Sequence, residues 1–378
     1  MIPKSYRVDG STSAPALVML NSLGASSEMW DPQMPALLGR FRVIRVEHRG
    51  HGGSQPPAPG PYTIEDLGTD ILDLLDHLGE TSASICGLSL GGMIAMWIAA
   101  NFPHRVDRLV IASSSPYLGP ASSWLDRAAI VRQSTPASLG TTLLERWFTP
   151  GFPQQHPEIA ELVRRMLEGA SAEGYAGCAE AIATMDLRPS LGDIRAPTLF
   201  IAGAYDPVTP PAMLLEASME IKGAAMTVIA SAAHLANLEQ PAHFTDALMG
   251  HLADLAPIRG DRLRREVLGD SHVDRSRASH SNFEASFIAM ITSFAWGDIW
   301  SRPGLDKKTR SAITISVLAA LGHQAELKLH LRGAIRNGWD ETELAEIFMH
   351  TAVYAGIPAA NGAMAIARQV LEEDPTTW

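Results

Sequence analysis

Cysteine is nearly absent, with only Cys86 and Cys178 in 378 residues. The two form no recognisable disulfide pairing or metal-ligand pattern, so no metal is expected and a reducing cytoplasm is the expected compartment. Long apolar runs are missing too. No stretch could span a bilayer, and Met1-Ile2-Pro3-Lys4 lacks the apolar segment of a signal peptide, so no membrane partner is expected. Positive charge is in deficit, with 30 Lys and Arg against 41 Asp and Glu. The net charge of −11 argues against nucleic acid as a partner. Apolar residues are plentiful at 46%, enough for a substantial core, and the length exceeds that of one ordinary domain. Two domains are therefore expected.

The most informative stretch is Ser84-Ile85-Cys86-Gly87-Leu88-Ser89-Leu90-Gly91-Gly92. An apolar run ends in Gly-x-Ser-x-Gly, and a helical pattern through Met93, Met96, Trp97 and Ala100 begins at once. Such a motif in an arbitrary loop carries little information. Between a strand and a helix it predicts a nucleophile elbow, with Ser89 raised above a sheet and the helix N-terminus favouring negative charge beside its oxygen. Glycine is required at 87 and 91 because the turn brings backbone against backbone.

Taken in order, Ala16–Leu20 reads as a buried strand that runs into Asn21-Ser22-Leu23-Gly24. In a hydrolase of this type that loop gives one oxyanion-hole amide, Leu23, and the residue after the nucleophile gives the other, Leu90. A second strand, Arg42–Val46, leads to Glu47-His48-Arg49-Gly50-His51. Those histidines could be ligands or bases in isolation, but the glycine-rich setting favours a structural loop at the site's edge. An amphipathic helix over 63–78 and a strand over Arg108–Ala112 continue an alternation that specifies a mostly parallel sheet covered on both faces.

Between about 115 and 188 helices appear without strands, the expected position of a cap over the nucleophile. It contains Trp124, Arg127, Trp147 and Phe148. Aromatics with an arginine could enclose a small anionic substrate, the guanidinium meeting a carboxylate. Equally, the tryptophans could be cap core and Arg127 a surface charge. A strand over Pro197–Ala202 precedes Asp206, and a short one over Met226–Ile229 precedes His234. Ser, Asp, His in that chain order, with the acid and the histidine each following a strand, resembles an α/β-hydrolase. There His234 would shuttle the Ser89 proton, while Asp206 would fix its tautomer.

Leu255-Ala256-Pro257 is expected to close the helix that starts near Pro241, and a mixed-charge stretch over 259–277 follows. Beyond it only helical patterns remain. Phe283, Phe287, Met290, Ile291 and Phe294 share one face. A helix through Ile313, Val317 and Leu321 ends at Gly322, and another carries Leu327, Leu331, Ala334 and Ile335 before Gly338. Asp340 with Glu343 resembles a capping box, and Pro358 opens the last helix. The expected division is an α/β domain over 1–255, with its cap at about 115–188, and an all-α domain over 258–378. The apolar faces of the second exceed what one small bundle buries, so homo-oligomerisation through it is expected.

Residues 1–255 resemble 3-oxoadipate enol-lactone hydrolases. The resemblance rests on Asn21–Gly24, the elbow, Leu144-Glu145-Arg146-Trp147-Phe148-Thr149-Pro150 and Ala233-His234-Leu235-Ala236-Asn237. The tail is similar to 4-carboxymuconolactone decarboxylases through Trp296–Leu305, Glu326–Ala334 and His350–Gly356. The resemblance implies a bifunctional enzyme of the protocatechuate branch of the β-ketoadipate pathway, acting on small lactones. The tail would decarboxylate a carboxylactone without any cofactor, since the conjugated lactone is its own electron sink, and Ser89 would open the resulting enol-lactone. Glu326 and His330, at i,i+4 on one helix face, are the candidates for decarboxylation, with the carboxylate expected to favour imidazolium. The imidazole would donate the proton or bind the lactone oxygen. Arg302 and Arg310 are candidates for the substrate carboxylates, and His350 is a further candidate. The superfamily's Cys-x-x-Cys peroxide chemistry is excluded, because residues 258–378 contain no cysteine. The competing reading is a general esterase or perhydrolase with a helical assembly module, and a non-catalytic receptor on the same fold stands behind it.

Overall fold

A computed structural model describes residues 5–12, 14–54, 59–252, 256–279, 283–302 and 304–373. The chain divides into two compact units, 1–253 and 254–378.

The first unit is built on seven strands: β1 (Tyr6–Asp9), β2 (Ala16–Leu20), β3 (Arg42–Val46), β4 (Ala83–Leu88), β5 (Val106–Ala112), β6 (Thr198–Gly203) and β7 (Ala225–Ile229). Their order is β1-β3-β2-β4-β5-β6-β7, with β1 antiparallel to β3 and every other pair parallel. β2, β4 and β6 are buried along their whole length, as both-face coverage demands. The expected strands are present; the antiparallel edge strand β1 was not among them.

Helix α1 (Ile64–His77) starts in a capping box between Thr63 and Asp66 and turns Ile64, Leu67, Ile71, Leu74 and Leu75 inward. Helix α2 (Leu90–Asn101) leaves the elbow and is buried nearly all round, which is why it lacks an amphipathic pattern. The cap comprises α3 (Ala121–Gln133), α4 (Gly140–Trp147), α5 (Pro157–Glu168) and α6 (Ala172–Thr184). Arg132 on α3 reaches Glu173 and Glu180 on α6, joining two cap helices. Helices α7 (Pro211–Met219) and α8 (Pro241–Leu252) complete the unit.

In the second unit α9 (Ala256–Leu268) and α10 (Asp270–Ser279) occupy the stretch read as merely mixed-charge. The described part of α8 runs to Leu252. Pro257 is helical within the described part of α9. Leu255, part of that expected boundary, lies outside the described residues. Helix α11 (Ala285–Met290) runs on into a π-helix over Ile291–Trp300. Four further helices follow: α12 (Lys307–Leu321), α13 (Gln324–Arg336), α14 (Glu341–Ala355) and α15 (Ile357–Leu371). Their ends match the sequence signals: Gly322 is left-handed, Asp340 and Glu343 form the capping box, and Pro358 sits in the first turn.

The core of this unit joins Ile315, Ala319, Leu327, Leu331, Ala334, Leu344, Phe348, Ala363 and Val370. Ile313, Val317 and Leu321 point outward instead, as do Phe283, Phe287, Met290 and Phe294. α9 approaches the π-helix so closely at Gly260 that a Cβ there would overlap the Thr292 carbonyl. Pro303, within the Trp296–Leu305 marker, lies outside the described residues.

Candidate active sites

Ser89 sits between β4 and α2 with φ 58° and ψ −116°, a left-handed conformation that a side chain adopts only under constraint. The constraint is steric and hydrogen-bonded. A Cβ at Gly87 would overlap the Gly91 carbonyl, and one at Gly91 would overlap that of Leu20. The Ser89 amide donates to the Ala112 carbonyl (2.9 Å), and the Ser114 hydroxyl donates to the Ser89 carbonyl (2.7 Å).

Asp206, beyond β6, accepts from the amides of Val208 (2.8 Å) and Thr209 (3.1 Å) and from the Thr209 hydroxyl (2.7 Å). Its Oδ2 lies 2.8 Å from Nδ1 of His234, which fixes that nitrogen as the N–H and leaves Nε2 free to accept. Burial pushes the Asp206 carboxyl up, but the His234 interaction and the Thr209 bonds outweigh it and hold it below the ordinary range. Ser89 and His234 line one pocket with Ser22, Leu23, Trp124, Arg127, Arg146, Trp147 and Tyr175. Among the described residues, the amides of Leu23 and Leu90 are taken up by no other hydrogen bond. They remain available to an oxyanion.

The turn carrying Leu23 is braced by the loop after β3. The Asn21 carbonyl accepts from Gly91 N–H (3.0 Å) and from Nε2 of His48 (2.9 Å). Nε2 of His51 accepts from Gly24 N–H (3.0 Å), and its Nδ1 donates to the Arg49 carbonyl (3.0 Å). Both imidazoles are buried. Burial and the neighbouring His48 push His51 down to about 4, and burial lowers His48 as well. Glu47, raised by burial, accepts from Ser27 N–H (2.9 Å) and from the Asn21 side-chain amide (3.2 Å). These groups hold the turn; none of them lines the pocket.

In the cap, the Trp124 indole donates to Leu118 (2.7 Å), and the Arg127 guanidinium lies 4.6 Å over the Trp124 ring. Both face the pocket with Trp147, whereas Phe148 stacks on Phe152 at 5.1 Å and lies outside the lining. Arg146 and Tyr175 were missed. For Arg146 a signal existed, since 143, 146 and 147 fall on one helix face.

In the second unit His330 is flanked by Trp296 and Trp300, with ring centroids 6.2 and 6.5 Å away. Burial, reinforced by His272, drives His330 down to about 4 and overrides the upward pull of Glu326. The imidazole is therefore neutral at pH 7, contrary to the imidazolium expected from the Glu326 spacing. Both tryptophans stood in the sequence at i,i+4, and His272 carried no local signal. The other candidates make their contacts elsewhere. Arg310 donates to the carbonyls of Leu305 (3.1 Å) and Arg302 (2.8 Å), and Arg302 is exposed. His350 is exposed beside Tyr354 (5.3 Å), in a groove with Ile313, Val317 and Trp339.

Residues 15–154 match the family model described as alpha/beta hydrolase fold, and residues 285–369 match that of the carboxymuconolactone decarboxylase family. The chain is 41% identical over 244 residues to 3-oxoadipate enol-lactonase 2 of Acinetobacter baylyi, covering 65% of this chain and 91% of that protein. It is 47% identical over 115 residues to the 4-carboxymuconolactone decarboxylase of the same organism, covering 30% of this chain and 86% of that protein. Among solved structures, the enol-lactonase from Burkholderia xenovorans is 37% identical with a TM-score of 0.64, over 66% of this chain and 96% of that one. The chain thus belongs to the α/β-hydrolase family over its first unit, in its enol-lactonase branch, and to the carboxymuconolactone decarboxylase family over its second.

Proposed function

We infer that this chain is a bifunctional enzyme of the β-ketoadipate pathway. The second unit converts 4-carboxymuconolactone to 3-oxoadipate enol-lactone, and the first hydrolyses that product to 3-oxoadipate. One observation carries the reading: each unit spans most of a relative with one of two consecutive activities, and a single chain joins them.

For hydrolysis, Ser89 Oγ attacks the lactone carbonyl as His234 Nε2 takes its proton, and the Leu23 and Leu90 amides hold the oxyanion. Collapse breaks the ring C–O bond. The leaving enol oxygen takes the proton from His234, and the enol tautomerises to the ketone. Water, deprotonated by the same imidazole, then releases the acyl group from Ser89. Asp206 holds the tautomer throughout. Arg127, seated on Trp124 and beside Trp147, meets the substrate's carboxylate.

For decarboxylation, the C–C bond to the departing CO₂ breaks and its electrons pass through the ring to the lactone carbonyl. Neutral His330 offers one N–H to that oxygen, and the proton that completes the α-carbon comes from water. Glu326, exposed one turn away, acts on the imidazole through its charge rather than through a hydrogen bond. Arg302, Arg310 and His350 have weaker claims, because their contacts lie elsewhere.

No described helix is long and apolar enough to cross a membrane. Two free, buried thiols suit a cytoplasmic protein. The exposed apolar side chains of α11 and α14, with Phe287, Met290, Val353 and Tyr354 each more than half exposed, support assembly through the second unit. The test of function is direct. The full chain, given 4-carboxymuconolactone, should release CO₂ and 3-oxoadipate in equal amounts. CO₂ without 3-oxoadipate removes the hydrolase assignment; absence of CO₂ removes the decarboxylase assignment, and the hydrolase is then tested on the enol-lactone itself.

A further inference from the structure

His234 is held from both flanks. On one side the Ala233 amide donates to Oε2 of Glu239 (2.7 Å). On the other the Leu235 amide donates to the Trp147 carbonyl (3.0 Å). Glu239 closes the circuit: its Oε1 accepts the Thr149 amide (2.9 Å) and, by a shorter bond, the Thr149 hydroxyl. Residues 233 and 235 are thus both fastened to residues 147–149 at the end of α4. Two side chains of α4, Arg146 and Trp147, line the pocket that holds Ser89. On the sheet side the loop has no slack. Ala232 accepts from Tyr205 N–H (2.9 Å), Ser231 is left-handed at φ 55°, and a Cβ at Gly203 would overlap the Ala233 carbonyl.

The chemistry at 239 requires a carboxylate. All three partners are donors, so both oxygens must accept, and among the described residues no cation pairs with this group. An amide would turn its NH₂ toward the Thr149 donors or toward the Ala233 amide, setting donor against donor. Aspartate is one methylene short. A carboxylate buried to 5% exposure costs desolvation that a simple packing role would avoid. Glu239 does not line the pocket, so it cannot touch substrate there.

We propose that Glu239 is a positioning residue that locks the His234 backbone to the substrate-facing wall of the cap, so that base and cap move as one piece. The proposal rests on the hydrolase reading. A displacement of about 1 Å in a catalytic group costs on the order of 10²-fold in rate. The lock therefore acts on kcat, and through Trp147 and Arg146 on KM for the lactone.

The experiment uses the full chain with Glu239→Gln and Thr149→Val, assayed on the enol-lactone and on p-nitrophenyl acetate, which is too small to need the cap. Glu239→Gln should lower kcat on both substrates by roughly 10- to 100-fold and displace the acidic limb of the pH–rate profile. Thr149→Val, which keeps the amide bond, should raise KM for the lactone several-fold and leave KM for the acetate ester unchanged. A folded Glu239→Gln enzyme with kcat within twofold of the parent and the same pH limb overturns the proposal. If Glu239→Gln does not fold, Thr149→Val decides, and an unchanged lactone KM overturns it. Failure of the hydrolase reading looks different, because the parent itself would then leave the lactone intact.

Discussion

Acid should unfold the hydrolase unit partly through one histidine that braces the Leu23 turn without lining the pocket. His51 is buried with its Nδ1–H on the Arg49 carbonyl, His48 edge-on at 6.2 Å and Tyr175 stacked at 6.3 Å. Its Nε2 must stay unprotonated to accept the Gly24 amide. In the fold it titrates at about 4, and in the unfolded chain near 6.5. The folded value is depressed, so below pH 6.5 the unfolded chain binds more protons than the native one. Stability is complete above that pH and falls as pH drops toward 4; below 4 this group costs nothing further. The gap is worth at most about 3 kcal/mol, of which about 2 kcal/mol is lost by pH 5. Calorimetry of the parent and of His51→Gln between pH 7 and 4.5 measures it. Glutamine places an oxygen near the Nε2 position, preserves the Gly24 bond and cannot titrate. The parent should start more stable and lose its advantage as pH falls, since the contributions of His48, Glu47 and Asp206 are common to both. Parallel loss in the two proteins would refute a neutral, buried His51.

Ser89→Ala should leave the fold and CO₂ release intact but slow lactone opening by roughly 10⁴- to 10⁶-fold, so that enol-lactone accumulates from the carboxylactone. Residual lactonase activity in that folded variant would dismiss Ser89. His330→Ala should reduce CO₂ release by about 10²-fold or more, while His330→Gln, which keeps an N–H donor, should retain most of it. Equal collapse of both variants would mean that His330 moves a proton rather than only donating a hydrogen bond. Val353→Lys with Tyr354→Lys should shift the protein to a smaller species in light scattering without loss of helicity, and an unchanged mass would place the interface elsewhere.

The sequence made the first unit legible because its chemistry is local. Strand, elbow and helix are contiguous around Ser89, and Asp206 and His234 each follow an apolar run. Edge strand β1 escaped because Tyr6 and Val8 alternate with Arg7 and Asp9 over only four residues and bury little. Helices α9 and α10 escaped for another reason. Their stretch is dominated by charge, with Arg265 reaching Asp261, Asp270 and Asp274, and such a pattern announces a solvated face more readily than a helix. The protonation of His330 was misread because Glu326 is visible one turn away. The burial by Trp296 and Trp300 and the approach of His272 exist only in three dimensions. For Arg127 the sequence left pocket lining and surface charge open, and the choice between them needed the fold, which puts it in the lining.

The contact at Gly260 has a consequence for how this protein can vary. The decarboxylase unit has its own core around Phe348, and that core does not include α9 or the π-helix. Those two pack on each other through Val267, Leu268 and Trp296, with backbone against backbone at Gly260. A single methyl group at 260 would therefore spread this pair first, and through Val267, which packs on Gly333 of α13, would reach only the edge of the main bundle. Trp296 and Trp300 would withdraw from His330, water would reach the imidazole, and its affinity for protons would climb back toward that of a free side chain. One inherited alanine could thus retune the acid–base character of a site whose own residues are untouched, so variation in this unit has to be judged at its helix crossings as well as at its imidazole.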